Sequence, residues 1–276
     1  MPSALFCFVL SLSATAVPQP LERQDAAAPL SHAVVQMLQA IVQRVPMREE
    51  QTVSRIGDSQ TVQSAFMRCF AEAQTDAGNA SETVEFFRSS DGGYRSYLRK
   101  SLSAKDGQMV HWALAGPALD EMRVTRARYA VVMFGTNDVQ NAPTGGVDHF
   151  GHELAQLADQ LLKRGTIPLL TTPPPRPFRA ADVAHFGPLG ATPWIPQYAA
   201  IVRQIAADRA LPVIELEAAL QDLPGQGIRG DGVHLSVAGQ GPCDFSESGM
   251  LGGHNVRNWL TIQMLHRVRT SLTGAP

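Results

Sequence analysis

Short apolar runs alternate with amphipathic stretches along most of the chain after residue 28. The runs are rich in Val, Ile and Leu and predict strands at 52–56, 109–114, 129–134, 167–171 and 212–216. The stretches with apolar residues at helical spacing predict helices at 31–44, 61–74, 147–163, 196–209 and 255–272. Because strands alternate with helices, we expect an α/β fold with a parallel sheet covered by helices on both faces.

Two segments interrupt this alternation. The segment 77–107 mixes aromatic residues with Gly92-Gly93, and the segment 172–193 is rich in Pro and Gly. Long connections in compact domains often carry function. We therefore expect both segments to form walls of a substrate cleft.

The N-terminus has the pattern of an export signal. An apolar run at 4–10 is followed by Ala14-Thr15-Ala16, as in a signal peptide with its cleavage site, although no basic residue precedes the run. This predicts a signal peptide at 1–16, a Pro-containing linker at 17–28 and one domain at 29–276, in a secreted, periplasmic or extracellular protein. A short buried helix is the alternative. The run is too short to span a bilayer, so no transmembrane span is expected.

Composition narrows the function classes. The 276 residues are 44% hydrophobic, which is enough for one substantial core. The 23 basic and 25 acidic residues give a net charge of -2 without a long run of either sign, so nucleic acid is not an expected partner. Cys7 would leave with the signal, and Cys69 and Cys243 form either a disulfide or two separate thiols. Nothing in the sequence indicates an oligomeric state.

A serine lies where the first predicted strand leads into a helix. Gly57-Asp58-Ser59 places Ser59 at the carboxyl end of a strand, the edge where open parallel sheets bind ligands. The free N–H groups of a first helical turn there face developing negative charge. Taken alone, the motif equally describes an ordinary helix cap.

Two later motifs have chemistry that fits such a serine. Gly135-Thr136-Asn137-Asp138 follows another predicted strand, and Asn137 could donate to an oxyanion or simply form a turn. Asp231-Gly232-Val233-His234 puts a carboxylate three residues before a histidine, the order in which Asp231 can orient His234 as a base. A lone surface-loop histidine is the alternative.

In this order, the three motifs resemble the first, third and fifth sequence blocks of the SGNH (GDSL-type) hydrolases. The resemblance extends from about residue 52 to 236. It implies a three-layer α/β/α sandwich with a five-stranded parallel sheet, and ester hydrolysis without a cofactor or metal.

Roles follow from the resemblance residue by residue. Ser59 matches the nucleophile, His234 the base and Asp231 its partner, so acyl transfer would pass through an acyl-enzyme. The oxyanion hole would consist of the Ser59 N–H, the Asn137 side chain and a glycine N–H after the second strand, for which Gly116 is the best match.

Other assignments remain open or are disfavoured. Gly92 or Gly93 could replace Gly116 in the oxyanion hole. The expected substrate is a small or carbohydrate-linked acyl ester, O-acetyl groups included. An acyltransferase and a non-catalytic carbohydrate or cell-surface binding protein are the alternatives.

The sequence argues against dinucleotide binding, a zinc-protease site and the α/β-hydrolase fold. The stretch 225–230 matches a dinucleotide-binding pattern but does not join a strand to a helix. The cluster His149, His152 and Glu153 lacks the second histidine of a zinc-protease motif. The absence of Gly-x-Ser-x-Gly argues against the α/β-hydrolase fold.

Overall fold

The computed structural model describes residues 29–72, 75–89, 91–141, 146–176 and 194–274. The predicted signal peptide and linker lie outside these residues, as does the part of the second predicted cleft segment from residue 177 to 193.

The described residues form a four-stranded parallel sheet. Its strands are β1 (Glu49–Gly57), β2 (Ala127–Met133), β3 (Ile167–Thr171) and β4 (Val213–Ile214). They lie side by side in chain order, with every neighbouring pair parallel. All four carboxyl ends therefore meet at one edge of the sheet.

Helices connect and cover the strands. The α-helices are α1 (His32–Arg44), α2 (Ser59–Val62), α3 (Ser81–Arg88), α4 (Val110–Leu114), α5 (Pro117–Thr125), α6 (Thr136–Asn141), α7 (Gly146–Lys163), α8 (Ile195–Asp208), α9 (Leu216–Leu220) and α10 (Gly253–Thr273). Single 3-10 turns occur at Arg68–Ala71, Gly78–Ala80, Pro224–Gly227 and Gly249–Leu251, and a π-helical turn at Tyr94–Leu98.

The sheet has a hydrophobic core on each face. Along β2, Ala130 and Val132 point into the core that α4, α5, α7 and α8 cover. Tyr129 and Val131 alternate with them and point into the core beneath α1, α3 and α10. Since successive side chains of a strand point to opposite faces, a strand buried on both sides reads as one continuous apolar run. The predicted three-layer α/β/α architecture is confirmed.

The predicted strand at 109–114 is wrong, because this segment forms α4. So short an apolar run fits a buried strand and a buried helix equally well. The Val110 N–H donates to Asp138 Oδ1 at 3.1 Å, so a side chain that follows β2 caps the first turn of the helix.

The expected fifth strand is reduced to a single bridge. Ala104 pairs with Gly57 in parallel at the open edge of β1. The Gly57 N–H donates to the Ser103 oxygen at 3.0 Å, and the Lys105 N–H donates to the Gly57 oxygen at 3.1 Å. The segment beside β1 is therefore 101–105 and not 109–114.

The helix predicted at 61–74 is also wrong in length, since α2 ends at Val62 and a 3-10 turn follows at Arg68–Ala71. Met67 between them has a left-handed backbone (φ 63°). Its N–H donates to Asn258 Oδ1 of α10 at 2.9 Å, so a contact far along the chain replaces a helical hydrogen bond.

The segment 77–107, which was predicted to form a cleft wall, contains regular secondary structure. It holds α3 and the π-helical turn, and Phe87 and Tyr97 are fully buried in the core beneath α10. Three of the aromatic residues that suggested a binding surface, Phe86, Phe87 and Tyr97, pack in the core instead. Only Tyr94 among the tyrosines of this segment is largely exposed.

Cys69 and Cys243 are joined in a disulfide, with an S–S distance of 2.10 Å. The bond ties the segment after α2 to the loop before α10. Of the two arrangements left open by the sequence, the structure has the disulfide. Across the described ranges, no helix combines the length and apolar character that crossing a membrane requires.

Candidate active site

The turn that carries Ser59 is built by its two preceding residues. A side chain on Gly57 would place its Cβ 2.6 Å from the Met133 oxygen of β2, so the close approach of the strands requires glycine. Asp58 caps α2 by accepting from the Gln60 N–H at 3.0 Å. Ser59 is thus the first residue of the helix rather than its cap, which removes the ordinary capping interpretation.

Ser59 and His234 are in contact across 175 positions of the chain. The Ser59 Oγ lies 3.0 Å from His234 Nε2. On its other side, the ring places Nδ1 2.8 Å from Asp231 Oδ2. Because a carboxylate only accepts, Nδ1 carries the proton and Nε2 is free to accept from the serine hydroxyl.

Asp231 accepts hydrogen bonds from donors on both sides of its carboxylate. Besides the imidazole, its donors are the N–H groups of Val233 at 2.9 Å and His234 at 2.8 Å, and Arg229 Nε at 2.6 Å. Desolvation opposes ionisation, but these donors outweigh it and hold the pKa of Asp231 well below its ordinary value. The carboxylate beside His234 is therefore charged at neutral pH.

Asn137 lies at the same edge of the sheet, in the first turn of α6. Its Nδ2 donates to the Gln108 oxygen at 3.0 Å and, more weakly, to Asp58 Oδ2 at 3.4 Å. The amide is thereby held next to the turn of Ser59 and next to the loop that follows the Ala104 bridge.

Two buried carboxyl groups support this arrangement. Burial raises the pKa of Asp58 to about 7, against the Gln60 N–H and the charge of Arg257, which lower it. Burial also raises the pKa of Asp138 to about 6, although the N–H groups of Val110 and Gly135 donate to it. Both carboxyl groups serve as acceptors for the backbone of the turns.

The structure does not place Gly116 after a strand. It lies between α4 and α5, and its N–H donates to the Ala113 oxygen at 3.4 Å. The alternatives Gly92 and Gly93 lie just before the π-helical turn, and the Gly93 N–H donates to the Arg88 oxygen. The reason for choosing Gly116 from the sequence, an apolar strand directly before it, is therefore wrong.

Three residues near the site escaped the sequence analysis. The buried side chain of Gln60 contacts the loop of His234. From α10, the fully buried Arg257 donates to the Gln60 oxygen at 2.7 Å, and the fully buried His254 contacts Gln63 at 3.2 Å. Polar residues on a helix give no local signal that they point inward, so only Gln60, directly after Ser59, could have been singled out.

Two of the patterns disfavoured from the sequence lie on α7 and in the segment before the loop of His234. His149 pairs with Glu153 on α7 at 3.1 Å, and within the described ranges no group of three ligating side chains could hold a metal ion. The glycine-rich stretch 225–230 begins in a 3-10 turn and leads into the loop of His234, so it does not join a strand to a helix.

Solved structures share this fold. The chain resembles a lipase/acylhydrolase from Enterococcus faecalis, with 18% identity and a TM-score of 0.52 over 80% of this chain and 96% of that one. An acetylxylan esterase from Geobacillus stearothermophilus has 17% identity and a TM-score of 0.51 over 79% and 95%. A putative acylhydrolase from Bacteroides fragilis has 16% identity and a TM-score of 0.52 over 85% and 97%.

No curated protein matches the chain significantly. The model of the GDSL-like lipase/acylhydrolase family matches residues 56–241, from the end of β1 to beyond His234. This stretch is more than half of the chain and includes all three motifs. The protein therefore belongs to the GDSL-like lipase/acylhydrolase family and is an ester-hydrolysing enzyme.

Proposed function

We propose that the protein is a serine esterase that works through an acyl-enzyme, with Ser59 as nucleophile, His234 as base and Asp231 as its partner. The observation that carries the proposal is the continuous chain of two hydrogen bonds, Ser59 Oγ to His234 Nε2 at 3.0 Å and His234 Nδ1 to Asp231 Oδ2 at 2.8 Å. Nucleophilic serine catalysis needs this order of groups.

The first step forms a bond from Ser59 Oγ to the ester carbonyl carbon. His234 Nε2 takes the hydroxyl proton and then gives it to the leaving alcohol as the ester bond breaks. In the second step, water gives a proton to His234 Nε2 as its oxygen bonds to the acyl carbon; the bond to Ser59 Oγ then breaks, His234 returns the proton to Ser59 Oγ, and the acid leaves. The low pKa of Asp231 supports its role, because an ionised carboxylate stabilises the imidazolium of each step.

The oxyanion would be stabilised by the Ser59 N–H and the Asn137 amide. The long contact of Asn137 with Asp58 is the one that a substrate oxyanion would replace, while the shorter bond to Gln108 keeps the amide in place.

For the glycine donor, we propose Gly107 in place of Gly116. Gly107 directly precedes Gln108, which holds Asn137, and it follows the Ala104 bridge beside β1. It is exposed, and its N–H has no hydrogen-bond partner among the described residues. Gly116, by contrast, already donates within its own turn.

The substrate class we propose is a small or carbohydrate-linked acyl ester, with O-acetyl groups as the first candidates. The fold that the chain shares with an acetylxylan esterase supports this choice, although at 17% identity the likeness concerns the fold. Membership in a hydrolytic family argues against the non-catalytic binding protein. An acyltransferase uses the same acyl-enzyme, so product analysis with an added sugar acceptor separates it from a hydrolase.

The decisive experiment uses Ser59→Ala with Ser64→Ala as the matched control, because Ser64 is exposed on the same segment. Wild type and the control should hydrolyse a panel of esters of increasing acyl length and react with a fluorophosphonate at Ser59. Ser59→Ala should keep its thermal midpoint but lose both activities. Turnover retained by Ser59→Ala would refute the assignment.

We also propose that the protein is exported. The apolar run at 4–10 and the Cys69–Cys243 disulfide support this, since disulfides persist in oxidising compartments. N-terminal sequencing of the protein recovered outside the cytoplasm should show cleavage after residue 16. An uncleaved chain retained in the cytoplasm would contradict it.

A further inference from the structure

The side chain of the residue directly after the nucleophile reaches the loop of the base. We infer that Gln60 is a positioning residue, whose carboxamide fastens the loop of His234 to the turn of Ser59. The inference rests on the proposed function, because it assigns a role in the serine–histidine contact.

Gln60 contacts both neighbours of His234. Its Nε2 donates to the Val233 oxygen at 2.7 Å, and its Oε1 accepts from the Leu235 N–H at 3.2 Å. One planar group thus holds the backbone immediately before and immediately after the base. A carboxamide can do this because its carbonyl carbon carries both an NH₂ donor and an oxygen acceptor.

Gln60 is itself held rigidly. Its main-chain N–H donates to Asp58 Oδ1 at 3.0 Å, and its main-chain oxygen accepts from Arg257 Nη1 at 2.7 Å. Arg257 is fully buried, with its guanidinium 3.6 Å from the ring centre of Phe66 and a further hydrogen bond to Thr61 Oγ1 at 3.0 Å. The side chain of Gln60 therefore extends from an anchored main chain, and its carboxamide fixes the loop that it contacts.

The loop of His234 has its own internal bonds, but they do not locate it relative to Ser59. The Arg229 N–H donates to the His234 oxygen at 2.8 Å, and the Ser236 N–H donates to the Gly227 oxygen at 2.8 Å. These bonds shape the loop. The bonds from Gln60 cross from the nucleophile turn to that loop, and a displacement of about 1 Å between catalytic groups can cost on the order of 100-fold in rate.

The family takes its name from the letters G, D, S and L, and this chain has Gln60 at the fourth place. An apolar side chain at this place has neither the donor nor the acceptor that holds the loop. The two hydrogen bonds therefore depend on the glutamine that this chain has at position 60.

The test compares Gln60→Met, Gln60→Glu and the matched control Gln63→Met. Methionine has a similar length without hydrogen-bonding groups, and Gln63 lies on the same turn but contacts His254 instead of the base loop. For Gln60→Met, we expect kcat to fall on the order of 10- to 100-fold, with KM within about twofold of wild type. Gln63→Met should keep the wild-type kcat.

Gln60→Glu provides a pH-dependent rescue. A neutral carboxyl group can donate to Val233 and accept from Leu235, whereas the ionised form presents an oxygen to the Val233 oxygen. The ratio of its kcat to that of wild type should therefore rise as the pH falls from 8 to 5. Asp58, Arg257 and His234 are titratable or charged groups that face this position in every variant. The ratio of the kcat of Gln60→Met to that of wild type is therefore measured over the same pH range, and comparison with it removes their contribution to the pH dependence.

The outcomes separate the inference from the proposed function. If wild type neither hydrolyses an ester nor reacts with a fluorophosphonate at Ser59, the proposed function fails before any Gln60 variant is measured. If wild type is active, a wild-type kcat in Gln60→Met or a flat pH ratio in Gln60→Glu overturns the inference. If thermal melting shows that Gln60→Met is unfolded, the inference is decided by whether the kcat of Gln60→Glu, relative to wild type, recovers at low pH.

Discussion

Asp231 holds both the ring and the backbone of His234. Its Oδ2 lies 2.8 Å from His234 Nδ1, and its Oδ1 accepts from the His234 N–H at the same distance. One carboxylate thereby sets the tautomer of the base and the position of its main chain.

Asp231→Asn should lower kcat on the order of 10³- to 10⁴-fold, because an amide neither stabilises the imidazolium nor enforces the tautomer. Arg229→Met is the matched control, since Arg229 donates to the same carboxylate but is half exposed. Because exposed ion pairs contribute little free energy, the kcat of Arg229→Met should change by only a few-fold. Equal losses in the two variants, measured on one ester, would contradict the role of Asp231.

A pair of glycine substitutions tests the proposed oxyanion donor. Gly107 has a left-handed backbone (φ +70°), so Gly107→Ala costs about 1 kcal/mol and shifts the N–H next to Gln108. The kcat should fall on the order of tenfold, with little change in KM. At Gly116 an added Cβ meets no atom within 4 Å, and Gly116→Ala should keep the wild-type kcat. The reverse result would restore Gly116.

The Cys69–Cys243 disulfide closes a loop of 174 positions. A cross-link of this span stabilises mainly by restricting the unfolded chain, by about 4–5 kcal/mol in the loop-entropy model. Thermal unfolding of Cys69→Ser/Cys243→Ser should show a midpoint well below that of wild type. A thiol reductant should lower the wild-type midpoint and leave that of the double variant unchanged. Equal midpoints for the two proteins under oxidising conditions would show that the bond does not form.

His254 should make the enzyme sensitive to acid. Burial, helped by the charge of Arg257, lowers the pKa of His254 to about 3. The unfolded chain binds a proton there at a pH of about 6.5, whereas the folded protein does not. As the pH falls from 6.5 towards 3, the free energy of unfolding therefore decreases.

His254→Gln removes this effect and retains a donor for Gln63. The free energy of unfolding of the variant minus that of wild type should increase between pH 7 and pH 5, by up to about 1.4 kcal/mol per pH unit. His152→Gln makes the same change on the exposed face of α7 and serves as the control. A constant difference across this range in urea titrations would show that His254 is not the sensitive group.

The motifs alone were enough to single out the side chains that we propose as reacting groups. Ser59, Asn137, Asp231 and His234 each follow or adjoin a recognisable strand or loop pattern, and parallel strands bring their carboxyl ends to one edge. β3 has the bounds that its apolar run predicts. Local composition suffices here because the residue type itself carries the chemistry and the alternation of elements places it.

The elements that were mispredicted are those whose local pattern was ambiguous. The short and mainly apolar segment Val110–Leu114 fits a strand or a helix, and Asp138, which caps it, lies 28 positions from Val110. The Gly116 assignment depended on that strand, so the error passed from the fold to the site.

The contacts that orient the catalytic groups could be found only from the folded chain. Gln60 holds Val233 and Leu235 across more than 170 positions, and Arg257 holds Gln60 from the last helix. Hydrogen bonds between distant residues leave no periodicity or composition signal in either segment. Short motifs therefore indicate the candidate reacting groups, whereas the alignment of these groups depends on buried polar contacts that exist only after the core has formed.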